Sequence, residues 1–218
     1  MTAAPLAQRL SLVVLTDPSC GRGRTIVDVV RASLQGGAPA IQLRAKGQQS
    51  REVLELARVL CRETRAVGAL LFVNDRVDVA LAAGADGVHL GDDDLPLQAA
   101  RRITPPGFLV GRSVDTPREA EIAATEGADY IGVGPVYGTP SKADAGEPIG
   151  AEGIRRVREI TRIPIVAIGG LDECNCSEAV AAGADGIAVI RAVMMAVDPT
   201  ETTRRLLAAV GRGGAHRR

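Results

Sequence analysis

The chain contains few aromatic residues. They make up 2% of its 218 residues, with two Phe, two Tyr and no Trp, whereas 46% of the residues are hydrophobic. The core must therefore be built from aliphatic side chains, which favours buried parallel strands covered by helices. The same scarcity argues against a surface on which nucleic-acid bases stack.

The chain also lacks an excess of charge of either sign. Lys plus Arg and Asp plus Glu number 26 each, so no overall field attracts nucleic acid or an anionic membrane. No segment approaches the ~20 apolar residues of a membrane span, and the first ten residues lack the features of a signal peptide. We therefore expect a soluble, cytoplasmic protein. The sequence makes no prediction of its oligomeric state.

Cysteine is scarce as well. The four cysteines, Cys20, Cys61, Cys174 and Cys176, include no CxxC pair. Their number and spacing argue against a disulfide framework and against a structural zinc site. Cys174 and Cys176 have the chemistry to bind a metal, but reduced thiols at the start of a helix are the favoured interpretation.

What the chain does contain is a regular alternation of apolar runs and amphipathic segments. The apolar runs predict eight strands, at residues 11–17, 40–44, 70–75, 87–90, 108–114, 130–136, 164–168 and 186–190. Helical spacing is found at residues 25–35, 50–67, 77–83, 96–103, 117–126, 151–161, 177–182 and 199–210. The tripeptide Gly-Ala-Asp precedes a strand three times, beginning at Gly84, Gly127 and Gly183, and marks the same helix exit in each case.

Eight strands that alternate with helices predict an α/β protein with a single (β/α)8 TIM barrel. We expect this domain to span residues 1–210 and to be followed by a basic, disordered tail at residues 211–218. An open, doubly wound sheet is the alternative. It would be favoured by a GxGxxG turn after the first strand, which the sequence lacks.

The active site of such a barrel lies at the carboxyl ends of its strands. The residues at these ends should therefore be neighbours: Asp17, Gln42, Arg44, Lys46, Asn74, Asp75, Asp92, Asp93, Asp94, Ser113, Thr139, Ser141, Lys142, Gly169, Gly170, Ile190 and Arg191. The cations Arg44, Lys46 and Lys142 would converge beside the carboxylates Asp75 and Asp94. This combination suits a polyphosphate bound with Mg²⁺.

Each of these residues also has a structural interpretation. A single Arg or Lys at a strand end is often a solvated charge, and Asp92 and Asp93 are expected to face water or to cap a helix. Gly169 and Gly170 suit a phosphate-binding turn but also fit an ordinary tight turn. We expect no catalytic role for His89, which lies inside a strand, or for His216 in the tail.

Six ordered motifs resemble the thiamine-phosphate synthase (thiamine-phosphate pyrophosphorylase) family over nearly the whole chain. They are QLRAK at 42–46, VNDR at 73–76, GVHLG at 87–91 with DLP at 94–96, GRS at 111–113, ADYIGVGP at 128–135 with TPSK at 139–142, and AIGG at 167–170. The resemblance implies a transferase of thiamine biosynthesis. Such an enzyme couples 4-amino-5-hydroxymethyl-2-methylpyrimidine diphosphate to hydroxyethylthiazole phosphate and releases diphosphate.

The resemblance also implies residue roles. The pyrimidine diphosphate would contact Gln42, Arg44, Lys46, Asn74, Ser113 and Lys142, of which Arg44, Lys46, Ser113 and Lys142 would be catalytic. Asp75 and Asp94 would hold Mg²⁺. The thiazole phosphate would contact Thr139, Pro140, Ser141, Gly170, Ile190 and Arg191.

Three positions depart from the usual pattern of the family. Ser141 replaces a second Thr, Asp92-Asp93 replaces a Gln-Glu pair, and Arg191 replaces a small residue, usually Ser. Three other functions remain open: a paralogue that isomerises the thiazole carboxylate phosphate, a sugar-phosphate isomerase or epimerase, and a non-catalytic barrel that binds a phosphate ligand. The retained cations and carboxylates favour the synthase.

Overall fold

The computed structural model describes residues 4–139 and 146–215. Eight parallel strands form a closed barrel in chain order. They are β1 (Leu12–Leu15), β2 (Ala40–Leu43), β3 (Leu70–Asn74), β4 (Gly87–Leu90), β5 (Leu109–Val114), β6 (Tyr130–Val133), β7 (Ile165–Ile168) and β8 (Gly186–Val189). Because β8 pairs directly with β1, with Leu12 opposite Ile187, the predicted (β/α)8 barrel is confirmed and the open-sheet alternative is wrong.

Helices surround the barrel and connect its strands. They are α1 (Leu6–Arg9), α2 (Ile26–Gln35), α3 (Ser50–Val67), α4 (Val77–Ala83), α5 (Leu97–Ile103), α6 (Pro117–Thr125), α7 (Gly150–Ile160), α8 (Cys176–Ala181), α9 (Arg191–Met194) and α10 (Pro199–Ala215). Helices α2 and α6 begin with capping boxes at Thr25 and Thr116, which satisfy amide groups that the first turn leaves unpaired. Within the described ranges, no helix has the length and apolar character to cross a membrane.

Successive residues of each strand face opposite sides of the barrel wall, and this alternation divides the core in two. The outward residues, such as Val88 and Leu90, pack against the helices in one large cluster. The inward residues form a smaller cluster, the apolar layer of the barrel interior: Leu10, Val13, Leu15, Ala40, Leu70, Phe72, Tyr130, Val166 and Ala188. On β2 and β3, the polar inward residues Gln42 and Asn74 lie nearer to the carboxyl ends of the strands than the apolar Ala40 and Phe72.

The three Gly-Ala-Asp sequences form one repeated contact at the amino ends of the strands. In each case the Asp carboxylate accepts a hydrogen bond from a backbone N–H of the preceding strand: Asp86 from Leu71 at 2.8 Å, Asp129 from Val110 at 2.7 Å and Asp185 from Ile165 at 2.9 Å. Asp129 and Asp185 also pair with Arg101 and Arg158, respectively. We call these three contacts the aspartate clasps. They link successive strands at the amino end of the barrel. The predicted site lies at the opposite, carboxyl end.

The structure differs from the sequence prediction mainly at the ends of elements. Helix α10 continues to Ala215, so the prediction that it ends at Val210 is wrong. It continues because Gly213 lies against α8, where a Cβ atom would be 2.7 Å from the Ser177 carbonyl oxygen. This close packing outweighs the low helix propensity of glycine. Helices α1 and α9, of four residues each, were not predicted because they are too short to show a helical period.

Candidate active site

Most of the predicted site residues lie at the carboxyl end of the barrel. The described ones are Gln42, Arg44, Lys46, Asn74, Asp75, Asp94, Ser113, Thr139, Gly170, Ile190 and Arg191. Pro140, Ser141 and Lys142 lie outside the described residues, as does His216. The contacts below therefore concern residues 4–139 and 146–215.

A chain of side-chain hydrogen bonds crosses from β2 to the end of β3. The Gln42 amide, which is 4% exposed, donates a 2.6 Å hydrogen bond to Asn74 Oδ1, and Asn74 Nδ2 donates to Asp75 Oδ1. Asp75 has a left-handed backbone with φ of 66°, a conformation that Asp and Asn adopt at lower cost than most residues. This backbone turn and the amide chain together fix the direction of the Asp75 carboxylate.

Asp75 meets a second carboxylate, that of Asp94. Burial, followed by the hydrogen bond and the like charge of Asp94, raises the pKa of Asp75 to about 6, while the nearby Lys46 and Asn74 act in the opposite direction. The structure therefore brings together the predicted carboxylate pair and one of the predicted cations. Two carboxylates this close destabilise each other's charged form until a cation is bound between them.

The loop that carries Asp94 is held from two sides. Asp94 Oδ2 accepts a 2.6 Å hydrogen bond from the Gly91 N–H, while Arg112 donates to the Gly91 carbonyl oxygen and, at 2.8 Å, to Asp92 Oδ1. Asp92 was expected to face water or to cap a helix; its side chain is 72% exposed, as the first alternative predicts, and it also pairs with Arg112. Helix α5 has Pro96 at its N-cap position and no side-chain cap, because the aspartates lie too far before its first turn.

Arg44 is held by the two residues that directly follow the neighbouring strand β1. Its Nη1 atom donates to Asp17 Oδ2 at 2.9 Å, and its backbone N–H donates to Thr16 Oγ1 at 3.0 Å. Asp17 is 8% exposed and its other oxygen accepts two hydrogen bonds from Ser19. Asp17 therefore holds the guanidinium of Arg44 at the mouth of the barrel.

Ser113 belongs to a chain of three polar side chains inside the barrel. His89 Nε2 lies 3.0 Å from Ser113 Oγ, and His89 Nδ1 lies 3.0 Å from the Tyr130 hydroxyl. Burial lowers the pKa of His89 to about 4 and raises that of Tyr130, so both groups are neutral at neutral pH. The prediction placed Ser113 at the site but did not identify these two partners.

The turn after β7 is packed closely against the loop after β6. A Cβ atom on Gly170, whose φ is 63°, would lie 2.7 Å from the Gly138 carbonyl oxygen and 2.8 Å from Tyr137 Cβ. Tyr137 in turn donates a 2.7 Å hydrogen bond to Glu178 of α8, and burial, followed by this contact, raises its pKa to about 12. Packing against the neighbouring loop thus already accounts for a glycine at position 170.

Beside this turn, the chain leaves β8 through Ile190, which is the N-cap of α9, and Arg191 is the first residue of that helix. Ile190 packs against the inner apolar cluster. The exposed Arg191 reaches towards the β1–α2 loop, where its Nη1 atom lies 3.8 Å from Cys20 Sγ. Its side chain therefore extends from the start of α9 towards the β1–α2 loop.

The metal-binding capacity of this site rests on the two carboxylates. Among the described residues, no group of three or more His, Cys, Asp or Glu side chains is placed to hold a metal ion, and Cys174 and Cys176 belong to no such group. A pair of carboxylates suits a hard cation whose other ligands are water and phosphate oxygens.

Three residues that support the site were missed as functional residues: Asp17, His89 and Arg112. Asp17 was predicted only as a strand-end residue without a role, and His89 was expected to have no catalytic role. A signal for His89 exists in the sequence, because Val88 and Leu90 alternate with it. If both face the helices, His89 must face the interior of the barrel. The same alternation applies to β5. Because Ser113 faces the interior of the barrel, its neighbour Arg112 must face outwards.

Comparisons with known proteins identify the family of the chain. The family model described as "Thiamine monophosphate synthase" matches residues 12–193. The chain belongs to this family. It is 50% identical over 195 residues to the thiamine-phosphate synthase of Methanoculleus marisnigri, covering 89% of this chain and 92% of the relative. It is 48% identical over 201 residues to that of Moorella thermoacetica, covering 92% and 96%.

A solved structure of this family has the same fold. The thiamine phosphate pyrophosphorylase from Pyrococcus furiosus is 45% identical to the chain and superposes with a TM-score of 0.89, covering 96% of this chain and 100% of that one. The predicted resemblance is thus confirmed. As a member of the thiamine monophosphate synthase family, the chain is a transferase of thiamine biosynthesis.

Proposed function

We propose that the chain couples 4-amino-5-hydroxymethyl-2-methylpyrimidine diphosphate to hydroxyethylthiazole phosphate, with thiamine phosphate and diphosphate as products. The observation that carries the proposal is the Asp75–Asp94 carboxylate pair beside Lys46 at the barrel mouth. Positive charge stabilises an anionic leaving group, and here Lys46 would supply a cation while the two carboxylates would hold a metal ion. Membership in the thiamine monophosphate synthase family supports the same reaction.

Mg²⁺ fits the carboxylate pair. The raised pKa of Asp75 reflects burial and the proximity of Asp94, and both effects would be offset by a divalent cation. Mg²⁺ commonly binds through one or two carboxylates and completes its shell with water and phosphate oxygens. Asp75 and Asp94 would hold the ion, and the bound ion would supply positive charge to the diphosphate.

The protein groups around the pair would bind and orient the pyrimidine diphosphate. Arg44, held by Asp17, and Lys46, close to Asp75, are the described cations of the proposed diphosphate site. Lys142 is the third cation of the proposal and lies outside the described residues. Gln42 and Asn74 would present amide groups, and Ser113 a hydroxyl.

The thiazole phosphate would bind on the opposite side of the mouth. Thr139, Pro140, Ser141 and Gly170 would contact it from the loops after β6 and β7, and Ile190 and Arg191 from the turn after β8. The contact of Gly170 with Tyr137 and Gly138 brings the first two loops together, which supports a shared phosphate site. Arg191 would add positive charge from the edge of this site.

The reaction needs no protein nucleophile. The bond between the pyrimidine methylene carbon and the diphosphate oxygen breaks, and the thiazole nitrogen then forms a bond to that carbon. The protein stabilises the negative charge that develops on the leaving diphosphate and holds the second substrate close to the cationic methylene carbon. Electrostatic stabilisation and positioning are the relevant contributions.

A diphosphate-release assay tests the proposal. Purified protein, Mg²⁺ and both substrates should release diphosphate and form thiamine phosphate in equal amounts, whereas omission of the thiazole phosphate or addition of a chelator should prevent product formation. Absence of product from a sample that unfolds cooperatively on heating would contradict the proposed function.

A further inference from the structure

A hydrogen-bonded chain of three side chains runs through the barrel interior from an apolar layer to the proposed site. Tyr130 on β6 contacts His89 on β4, and His89 contacts Ser113 on β5, with both distances 3.0 Å. The Tyr130 ring packs edge-on against Phe72, with ring centroids 5.2 Å apart. The chain therefore links the apolar layer to the hydroxyl of a proposed substrate-binding residue.

Two glycines make room for this chain. A Cβ atom on Gly111 would lie 2.2 Å from Tyr130 Cζ and 2.6 Å from His89 Nδ1, and one on Gly132 would lie 3.0 Å from His89 Cε1. Any side chain at Gly111 would displace the imidazole or the phenol ring. The closely packed barrel interior thus confines the His89 ring to one position.

Counting the protons determines the direction of each hydrogen bond. A histidine ring nitrogen that accepts a hydrogen bond carries no proton, and the other ring nitrogen then carries one and donates it. Within residues 4–139 and 146–215, His89 is the one hydrogen-bond partner of the Tyr130 hydroxyl. Since a buried O–H without an acceptor is costly, Tyr130 donates to Nδ1. The ring proton is then on Nε2, which donates to Ser113 Oγ.

This arrangement sets the role of Ser113. Its oxygen accepts from His89, and its own proton has no acceptor among the described residues. We propose that His89 is a positioning residue that keeps the Ser113 hydroxyl proton directed into the barrel mouth, as a donor to the anionic leaving group. The inference rests on the proposed function, in which Ser113 contacts the diphosphate.

The opposite tautomer would have the opposite effect. If Nδ1 carried the proton, Nε2 would accept the Ser113 proton, and Ser113 would present only lone pairs to the site. Lone pairs directed at a diphosphate repel it, whereas an O–H donor stabilises it increasingly as negative charge develops. The position of one ring proton therefore decides whether Ser113 assists or opposes departure of the leaving group.

Nuclear magnetic resonance of the histidine ring nitrogens tests the tautomer directly. The chain has two histidines, so the variant His216→Gln, labelled with ¹⁵N-histidine, yields the signals of His89 alone. We expect a protonated Nε2 and an unprotonated Nδ1 at neutral pH. A protonated Nδ1 would overturn the proposal. In Tyr130→Phe, which keeps the ring and removes the donor, we expect both tautomers to be populated.

Kinetics test the coupling to Ser113. His89→Leu removes the Nε2 donor, and we expect kcat to fall about tenfold, with a smaller change in KM for the pyrimidine diphosphate. His89→Gln, whose amide can donate near the position of Nε2, should recover part of this loss. In the Ser113→Ala background, His89→Leu should have no further effect on kcat. Independent, multiplicative losses would contradict the proposal.

The controls separate folding and the proposed function from the inference. Thermal melts show whether each variant folds. If His89→Leu does not fold, Tyr130→Phe takes its place in the double-mutant comparison with Ser113→Ala. If wild-type protein gives no product, the proposed function fails, while the His89 spectrum still reports the tautomer. If wild-type protein is active and Ser113→Ala is equally active, the proposed function stands and the role of His89 is refuted.

Discussion

Asp17 Oδ2 lies 2.9 Å from Arg44 Nη1, and both side chains are largely buried, with exposed fractions of 11% and 16%. Asp17 follows β1 by two residues and Arg44 directly follows β2, so this ion pair joins the segments that leave two neighbouring strands at the barrel mouth. Removal of one partner leaves the other charge poorly compensated in a site of restricted solvent access. We therefore expect the pair to stabilise the fold and to orient the Arg44 guanidinium towards the proposed diphosphate site.

We predict that Asp17→Asn lowers the free energy of unfolding by about 1–3 kcal/mol, because it removes the charge partner of Arg44 and keeps an acceptor. It should also raise KM for the pyrimidine diphosphate. Urea denaturation and initial-rate kinetics measure the two effects. Glu63→Gln is the matched control, since it removes the charge partner of the more exposed Arg31 and should change stability by less than about 0.5 kcal/mol.

The stabilisation from Asp17 should depend on pH. Burial raises the pKa of Asp17, but the hydrogen bonds from Ser19 and the charge of Arg44 outweigh burial and lower it overall. A lowered pKa in the folded state means that Asp17 stabilises the fold fully above its unfolded pKa of about 4. The difference in stability between wild type and Asp17→Asn should be constant above that pH and decrease at more acidic pH. A difference that persists unchanged in acid would contradict this account.

We predict that Asp75→Asn abolishes most of the Mg²⁺-dependent activity and stabilises the metal-free protein. The expected loss of turnover is at least about 100-fold. The expected stabilisation follows from relief of the burial and like-charge effects that raise the pKa of Asp75, and Asn also tolerates the left-handed backbone at this position. Activity assays and metal-free thermal melts measure both.

Asp93→Asn is the control for this experiment. Asp93 is exposed and lies in the same loop as Asp94, so the variant changes the net charge by the same amount. We expect nearly wild-type activity and melting temperature. If Asp75→Asn behaved like this control, Asp75 would not be a metal ligand.

The aspartate clasps should contribute to stability and not to activity. Asp129→Ala leaves the Val110 N–H without its 2.7 Å acceptor and should lower the free energy of unfolding by about 1–3 kcal/mol. At temperatures well below the melting transition, kcat should be unchanged, because the clasps lie at the opposite end of the barrel from the proposed site. Glu121→Ala, at an exposed position of helix α6, is the control. If the two variants were equally stable, the clasp at Asp129 would not contribute to stability.

Arg191 is the site residue that departs most from the family pattern, and Arg191→Ser tests its contribution. The side chain is exposed and reaches towards Cys20, so we expect an electrostatic role at the edge of the proposed thiazole phosphate site. KM for the thiazole phosphate should rise by about two- to fivefold at low ionic strength, and the difference should diminish in high salt. A lower KM in the variant would indicate that Arg191 obstructs the site.

The alternation of strands and helices could be predicted because it depends on local pattern. The ends of the strands were predicted less accurately. For example, β2 ends at Leu43 and β3 at Asn74, one residue earlier than predicted in each case. Arg44 and Asp75 directly follow the apolar runs and were included in the predicted strands. In the structure they lie outside the strand hydrogen bonding, because Arg44 pairs with Asp17 and Asp75 has a left-handed backbone. Packing of Gly213 against α8, which extends α10, likewise depends on a neighbour that is distant in sequence.

The candidate site was predictable where it depended on strand ends and family motifs. Its supporting contacts were not, because each joins residues far apart in the chain: Asp17 with Arg44, His89 with Tyr130, and Arg112 with Asp92. A sequence pattern shows which side chains share a face of a strand. It does not show which partner on another strand lies within hydrogen-bonding distance.

The scarcity of aromatic residues gives the protein a simple ultraviolet spectrum. With no tryptophan, its near-ultraviolet absorption and emission come almost entirely from Tyr130 and Tyr137. One phenol contacts a histidine inside the barrel and the other contacts Glu178 beside the loop after β6. Tyr130→Phe and Tyr137→Phe would each leave a single natural chromophore, so that optical changes on ligand addition can be assigned separately to the barrel interior and to its rim.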